Sequence, residues 1–326
     1  MTATCPACGA PLSPGMLACP RCHQLLFAPR LKSLASAAEQ ARQSGNLSES
    51  ARLWREALDL LPPGTQQHAA VTATLESLSH QIDSLPAANA TSSKNKARGL
   101  AGIGALIVFL LTKAKLLLLG LTNLPTLLSM FLSIGVYWAA FGWKFAIGLV
   151  LSIYVHEMGH VAALRRFGFK ATAPMFIPGL GALIRLKQHP LDAREDARIG
   201  LAGPLYGLAA ATFCAAVWHF TGSQSWGAIA KIGAWINLFN LIPIGPLDGG
   251  RGFRALSRLQ SWLVLLTAAI LWYYSREGML ALIAIVSVFR AFGKPATTPG
   301  DNTAVAQFLF LLLTLTALTL IPINLQ

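Results

Sequence analysis

Acidic residues are scarce in this chain. Its 326 residues include 13 Asp and Glu against 26 Lys and Arg, a formal charge of +13. Only seven of the acids lie beyond Arg98. Charged residues make up 12% of the chain and hydrophobic ones 54%, with a mean hydropathy of +0.54. Such a composition excludes an ordinary soluble protein. The first twenty residues contain no apolar run, so no signal peptide is expected and the amino terminus is expected in the cytoplasm. Cysteine is rare as well. Four of the five cysteines fall in the first 22 residues, and Cys214 stands alone in an apolar run, where a small core residue is expected. A basic excess in a soluble chain would suggest nucleic acid. Here the basic residues flank apolar runs, so no nucleic-acid partner is expected.

The apolar residues are unevenly placed. Residues 1–98 are polar and mixed, whereas 99–326 is a series of long apolar runs with short breaks. A bilayer core needs about 20 apolar residues to cross as helix, and the second part supplies several such runs. The expected fold is therefore an all-α polytopic membrane protein, multi-pass and in contact with lipid, carrying a small amino-terminal module. Runs at 116–142, 144–164, 199–221, 228–247, 259–274, 278–292 and 304–323 read as spans. The run at 100–112 is short and is broken by Lys113 and Lys115. Whether it crosses, lies at the interface or extends the next span stays open. With a cytoplasmic amino terminus, the far-side loops hold only Lys144, Lys231 and Arg276, the charge asymmetry expected of that orientation.

Residues 1–28 contain Cys5-Pro-Ala-Cys8 and Cys19-Pro-Arg-Cys22. Two such knuckles offer four thiolates for a tetrahedral zinc ion, and a reducing compartment favours metal over the competing pair of disulfides. A unit this small needs such a staple. Its zinc is expected to be structural. Residues 31–85 read as a helical hairpin. Ala38, Ala41, Gly45, Ala51, Trp54, Ala57, Leu58, Leu60 and Pro62 resemble one tetratricopeptide unit, although an unrelated hairpin fits equally well. Either form offers a docking surface for a cytoplasmic protein partner. Residues 86–98 read as a polar, basic linker.

Of the seven acids beyond Arg98, Asp192, Glu195, Asp196, Glu277 and Asp301 fall in expected loops. Glu157 and Asp248 sit in or at the end of apolar runs. An ionisable group there costs several kcal/mol, roughly 2.5–3.5 on insertion scales, and demands a partner or a function. Glu157 belongs to His156-Glu157-Met158-Gly159-His160. Positions four apart share a helix face, so both imidazoles can reach one ion, with the adjacent glutamate as general base. A catalytic zinc takes three protein ligands and keeps one position open. Asp248, in Asn240-Leu-Ile-Pro-Ile-Gly-Pro-Leu-Asp248-Gly-Gly250, is the candidate third. Two spans separate it from the histidine helix, so both motifs should lie at similar depth.

These two motifs and Leu201-Ala-Gly203-Pro204-Leu205 together resemble the site-2 protease family of intramembrane metalloproteases, over roughly residues 140–258. The resemblance implies zinc ligation by His156, His160 and Asp248, catalysis by Glu157, and substrate handling by Asn240. Asn237, one turn earlier, either assists or only joins helices. The segment from Ala171 to Leu186 reads as two short extended pieces around a Pro-Gly turn. The family is similar in having such a hairpin near the active site, where a strand edge can hold unwound substrate by β-addition. The expected function is an intramembrane zinc endopeptidase that cleaves transmembrane segments of membrane-tethered proteins with metal-activated water. It would hold two zinc ions, one catalytic and one structural. Two other classes compete. A non-catalytic zinc-binding scaffold would not need the glutamate. A divalent-metal transporter would show internal repeats and polar groups on several spans, and the sequence shows neither.

Overall fold

A computed structural model describes residues 3–85, 123–178, 181–183, 190, 192–293 and 300–323. The linker at 86–98, the run at 100–112 and most of the stretch after Leu183 lie outside the described residues. The chain divides into two units. The first joins the amino-terminal residues to Leu164–Lys170, and the second takes the rest.

In the first unit Ala3–Thr4 (β1) pairs antiparallel with Pro11–Leu12 (β2). Gly9 sits at φ +71°, the left-handed turn that lets the Cys5 amide reach the Ala10 carbonyl at 2.9 Å. Three helices follow: Ala28–Gln43 (α1), Leu47–Leu58 (α2) and Gln66–Ser84 (α3). Asn46 caps α2 and Thr65 caps α3 through their side-chain oxygens. The helical hairpin expected over 31–85 is instead three helices, with the tetratricopeptide-like residues 38–62 lying on and just after α1 and α2. The chain adds a third helix after Pro62-Pro63-Gly64, and it packs on α2.

Leu164–Lys170 is the part of the first unit that sequence places elsewhere. Its aromatic residues Phe167 and Phe169 are buried. Gly168 presses against α2 so closely that an added Cβ would lie 2.6 Å from the Arg52 amide nitrogen. Arg55, only 3% exposed, donates from Nε to the Phe167 carbonyl at 3.2 Å and stacks 3.6 Å from the centroid of the Phe169 ring. Arg166 donates to the carbonyls of Ile82 and Leu85, and Lys170 pairs with Glu56. The Lys170 and Arg30 partners hold the Glu56 carboxyl down at about 2. A desolvated cation–π contact is worth about 2 kcal/mol. Arg55→Ala should therefore raise amide exchange at Phe167–Lys170 by roughly 30-fold if that contact anchors the segment. Unchanged exchange would mean that burial of the two rings is sufficient.

In the second unit the helices are Leu124–Phe141 (α4), Trp143–Arg166 (α5, whose last turn belongs to the first unit), Ala193–Thr221 (α6), Gln224–Asn240 (α7), Asp248–Phe253 (α8), Arg258–Ser275 (α9), Gly278–Phe292 (α10) and Asn302–Thr319 (α11). Among the described residues four helices are long and apolar enough to cross a membrane: α4, α5, α6 and α11. The expected spans at 228–247, 259–274 and 278–292 form helices that fall short of that measure. The first of them stops at Asn240, because Pro243 and Pro246 cannot continue it. Large apolar side chains on these helices, Phe131, Phe220 and Phe289 among them, stay exposed, as suits contact with lipid tails.

The core of the unit forms where α6, α7, α8 and α11 meet around Leu201, Leu238, Phe253 and Phe308. A second cluster joins α4 and α5 to a short hairpin, Met175–Ile177 (β3) paired antiparallel with Gly181–Leu183 (β4). Thr126 donates to the Pro174 carbonyl and the Phe176 amide donates to Ser129, which fixes β3 on α4. The Phe176 ring stacks on Tyr154, two residues before His156.

The acids at 192, 195 and 196 are not in a loop. Asp192 caps α6 and the other two lie in its first turn, buried. Asp196 binds Arg251 at 2.8 Å and Arg254 at 3.0 Å, tying α6 to α8. Asp301 likewise caps α11 and pairs with Arg198, and Glu277 stands at the N-cap of α10. Cys214 is buried in the core as expected.

Candidate metal centre

Helix α5 places His156 and His160 four residues apart on one face. Their Nε2 atoms lie 3.2 Å from each other. Asp248 is the first residue of α8, and its carboxylate reaches both: Oδ2 is 3.1 Å from His156 Nε2 and Oδ1 is 3.3 Å from His160 Nε2. All three residues are buried. Zinc bonds of about 2.0–2.1 Å in a tetrahedron put neighbouring donors roughly 3.3 Å apart. The two imidazole nitrogens and the carboxylate oxygens that face them have about that spacing, and two imidazoles with one carboxylate suit zinc.

Local sequence explains how Asp248 arrives there. After α7 the chain turns back through Leu241-Ile-Pro-Ile-Gly245-Pro-Leu, with Gly245 at φ +33°. This turn lies hard against the start of α8. A Cβ at Gly249 would meet the Leu241 carbonyl oxygen at 2.0 Å, and one at Gly250 would meet that of Ile244 at 2.6 Å. The two glycines after the aspartate are thus steric requirements of the turn.

The supporting contacts are equally local. His160 Nδ1 lies 2.8 Å from the Ile199 carbonyl, and His156 Nδ1 lies 2.8 Å from Asn237 Oδ1. Each ring is held by the nitrogen that faces away from the other donors. Helix α6 comes close because it is glycine-bearing here. A Cβ at Gly203 would fall 2.2 Å from His160 Nε2, and one at Gly159 would fall 2.4 Å from the Ala202 carbonyl oxygen. Pro204 lies inside α6 and disturbs the preceding turn. Glu157 is 8% exposed, and its carboxylate makes no hydrogen bond among the described residues.

The structure brings together His156, Glu157, His160, Asn237 and Asp248. Asn240, at the end of α7, is half-buried and forms no side-chain hydrogen bond among the described residues. Sequence reasoning missed Gly207, whose added Cβ would strike Asn237, and Asp196, which steadies α8. A glycine four residues after Gly203, on the same helix face, was the available signal for the first.

Residues 144–223 match peptidase family M50. This stretch, about a quarter of the chain, is similar to that family. The matched stretch takes in both histidines, Glu157 and Gly203, and ends before Asp248. A zinc metalloprotease of Methanocaldococcus jannaschii is 26% identical over 160 residues, 44% of this chain and 46% of its own. Rip3 of Mycobacterium tuberculosis is 32% identical over 128 residues, 37% of this chain and 32% of its own. Rip2 of Mycolicibacterium smegmatis is 27% identical over 167 residues, 38% of this chain and 64% of its own. All three carry zinc metalloprotease in their names. The chain spans less than half the length of the first two.

In the first unit the four cysteine sulfurs form a second cluster. Cys5 Sγ lies 3.7 Å from Cys22 Sγ, and Cys8 Sγ lies 3.6 Å from Cys19 Sγ. Ligands about 2.3 Å from a tetrahedral zinc stand roughly 3.8 Å apart. Backbone amides of Cys22 and then Arg21 help bring the Cys19 thiol down to about 6, towards the thiolate that a metal needs. Cys22→Ser should remove one zinc per chain and leave the second in place, read as metal content of the purified protein. Loss of both ions, or of neither, would contradict two independent sites.

Proposed function

We propose that the chain is an intramembrane zinc endopeptidase that cleaves transmembrane segments of membrane-tethered proteins. The supporting observation is the meeting of three donors, from two segments far apart in sequence, beside a buried glutamate in a unit built of membrane-length helices. His156, His160 and Asp248 hold the catalytic zinc, and Cys5, Cys8, Cys19 and Cys22 hold a structural one. Bound zinc supplies Lewis acidity, which lowers the pKa of water to near neutrality and polarises a carbonyl.

The remaining steps belong to side chains. Glu157 takes the proton from the attacking water and returns it to the leaving amine. Asn240 faces the substrate at the end of α7. A helical substrate hides its amide bonds, so it must unwind first. The β3–β4 hairpin lies beside the histidine helix through the Phe176–Tyr154 contact, and its edge holds the unwound segment by strand addition. The amino terminus faces the cytoplasm, and the first unit docks a protein partner there.

Comparative proteomics of membrane-protein fragments, with the native protein and with Glu157→Gln, tests this reading and names substrates. Fragments cut within transmembrane segments should appear only with the native protein. Identical fragment profiles would overturn it.

A further inference from the structure

We infer that Asn237 is a positioning residue that sets the tautomer and ring plane of His156, and that Gly207 is the space this amide requires. The inference rests on the metal-centre reading above and assigns that centre a support outside its three donors.

Asn237 is 4% exposed on α7. Its Nδ2 donates to the Gly233 carbonyl at 2.7 Å, one turn back on the same helix. A carbonyl oxygen can only accept, so the NH2 end of the amide must face it. Oδ1 therefore faces His156 Nδ1 at 2.8 Å and accepts its proton. A neutral imidazole with hydrogen on Nδ1 carries its lone pair on Nε2. That is the nitrogen turned towards His160 and Asp248. Reversing the amide would place NH2 against Nδ1 and leave the proton on Nε2, where it would block coordination.

The two histidines are supported unequally. His160 leans on the Ile199 backbone carbonyl, which no substitution removes. His156 leans on a side chain. That side chain has little room: a Cβ at Gly207 would lie 2.1 Å from Asn237 Oδ1 and 2.5 Å from Nδ2. Gly207 follows Gly203 by one helical turn on the same face. One strip of α6 thus leaves space first for the metal-binding imidazoles and then for the amide behind them.

The test uses the full chain purified in detergent. Zinc affinity is measured by chelator competition, and the spectrum of the cobalt-substituted His/Asp site is recorded. Asn237→Leu keeps the size and removes the acceptor. It should weaken binding at that site by about 10- to 100-fold and alter the cobalt spectrum. Asn237→Asp, which restores the acceptor facing Nδ1 but leaves the Gly233 carbonyl without its donor, should regain part of the affinity lost in Asn237→Leu. Gly207→Ala should behave like Asn237→Leu. If Asp248→Ala loses one metal per chain while Asn237→Leu keeps native affinity and spectrum, Asn237 only joins helices and the inference falls. If Asp248→Ala loses no metal, the metal-centre reading falls with it. Should Asn237→Leu fail to fold, native affinity in Gly207→Ala overturns the inference instead.

Discussion

Glu157→Gln is expected to slow cleavage by about 10²- to 10⁴-fold, the usual worth of a positioned general base, with zinc content unchanged. Glutamine keeps the shape and the hydrogen-bonding oxygen but cannot take a proton from water. The carboxylate makes no hydrogen bond among the described residues, so the substitution breaks no structural contact there. It is also not one of the three clustered donors. Turnover of a transmembrane substrate in detergent, measured beside metal content, checks both halves of the expectation. Loss of zinc would make Glu157 a structural group, and full activity would place the base elsewhere.

Gly203→Ala should empty the His/Asp metal centre more thoroughly than loss of a supporting hydrogen bond, with zinc affinity falling by about 100-fold or more. The reason is distance. The new methyl would lie 2.2 Å from His160 Nε2, 2.4 Å from its Cε1 and 2.7 Å from His156 Nε2, all inside van der Waals contact. Either α6 withdraws or both rings turn, and each response spoils the three-donor geometry. Gly233→Ala is the matched control. Its Cβ would meet nothing nearer than Ala211 Cβ at 3.8 Å, an ordinary contact, and alanine favours helix by about 1 kcal/mol. Chelator competition on the two variants should separate them. Equal affinities would show that the rings accommodate the methyl.

The residues that cluster in this chain were the legible part. His156, Glu157, His160 and Asp248 stand out because charge and imidazole are costly in apolar runs, and the cysteines because their spacing has few other uses. What sequence misplaced was settled by contacts between distant residues. Asp192, Glu195 and Asp196 look like loop acids. Asp192 followed three residues later by Glu195 is a helix-start signature that sequence reasoning missed, whereas nothing local announces that Asp196 is answered by Arg251 and Arg254. The apolar stretch at 228–247 reads as one span, yet its two prolines end the helix at Asn240 and deliver Asp248 on a new one. Asn237 was visible as a polar residue in an apolar helix. Its partner, the unused nitrogen of His156, follows from no spacing rule.

The segment Leu164–Lys170 has a practical consequence. It begins four residues after His160 and folds with the amino-terminal helices rather than with the helices it leaves. A truncation that begins at residue 99 would look natural on paper, since the polar module ends there. It would strip the cover from Phe167 and Phe169 and leave two aromatic rings bare beside the end of the histidine helix. Poor behaviour of such a fragment would then report an orphaned hydrophobic surface and say nothing about catalysis.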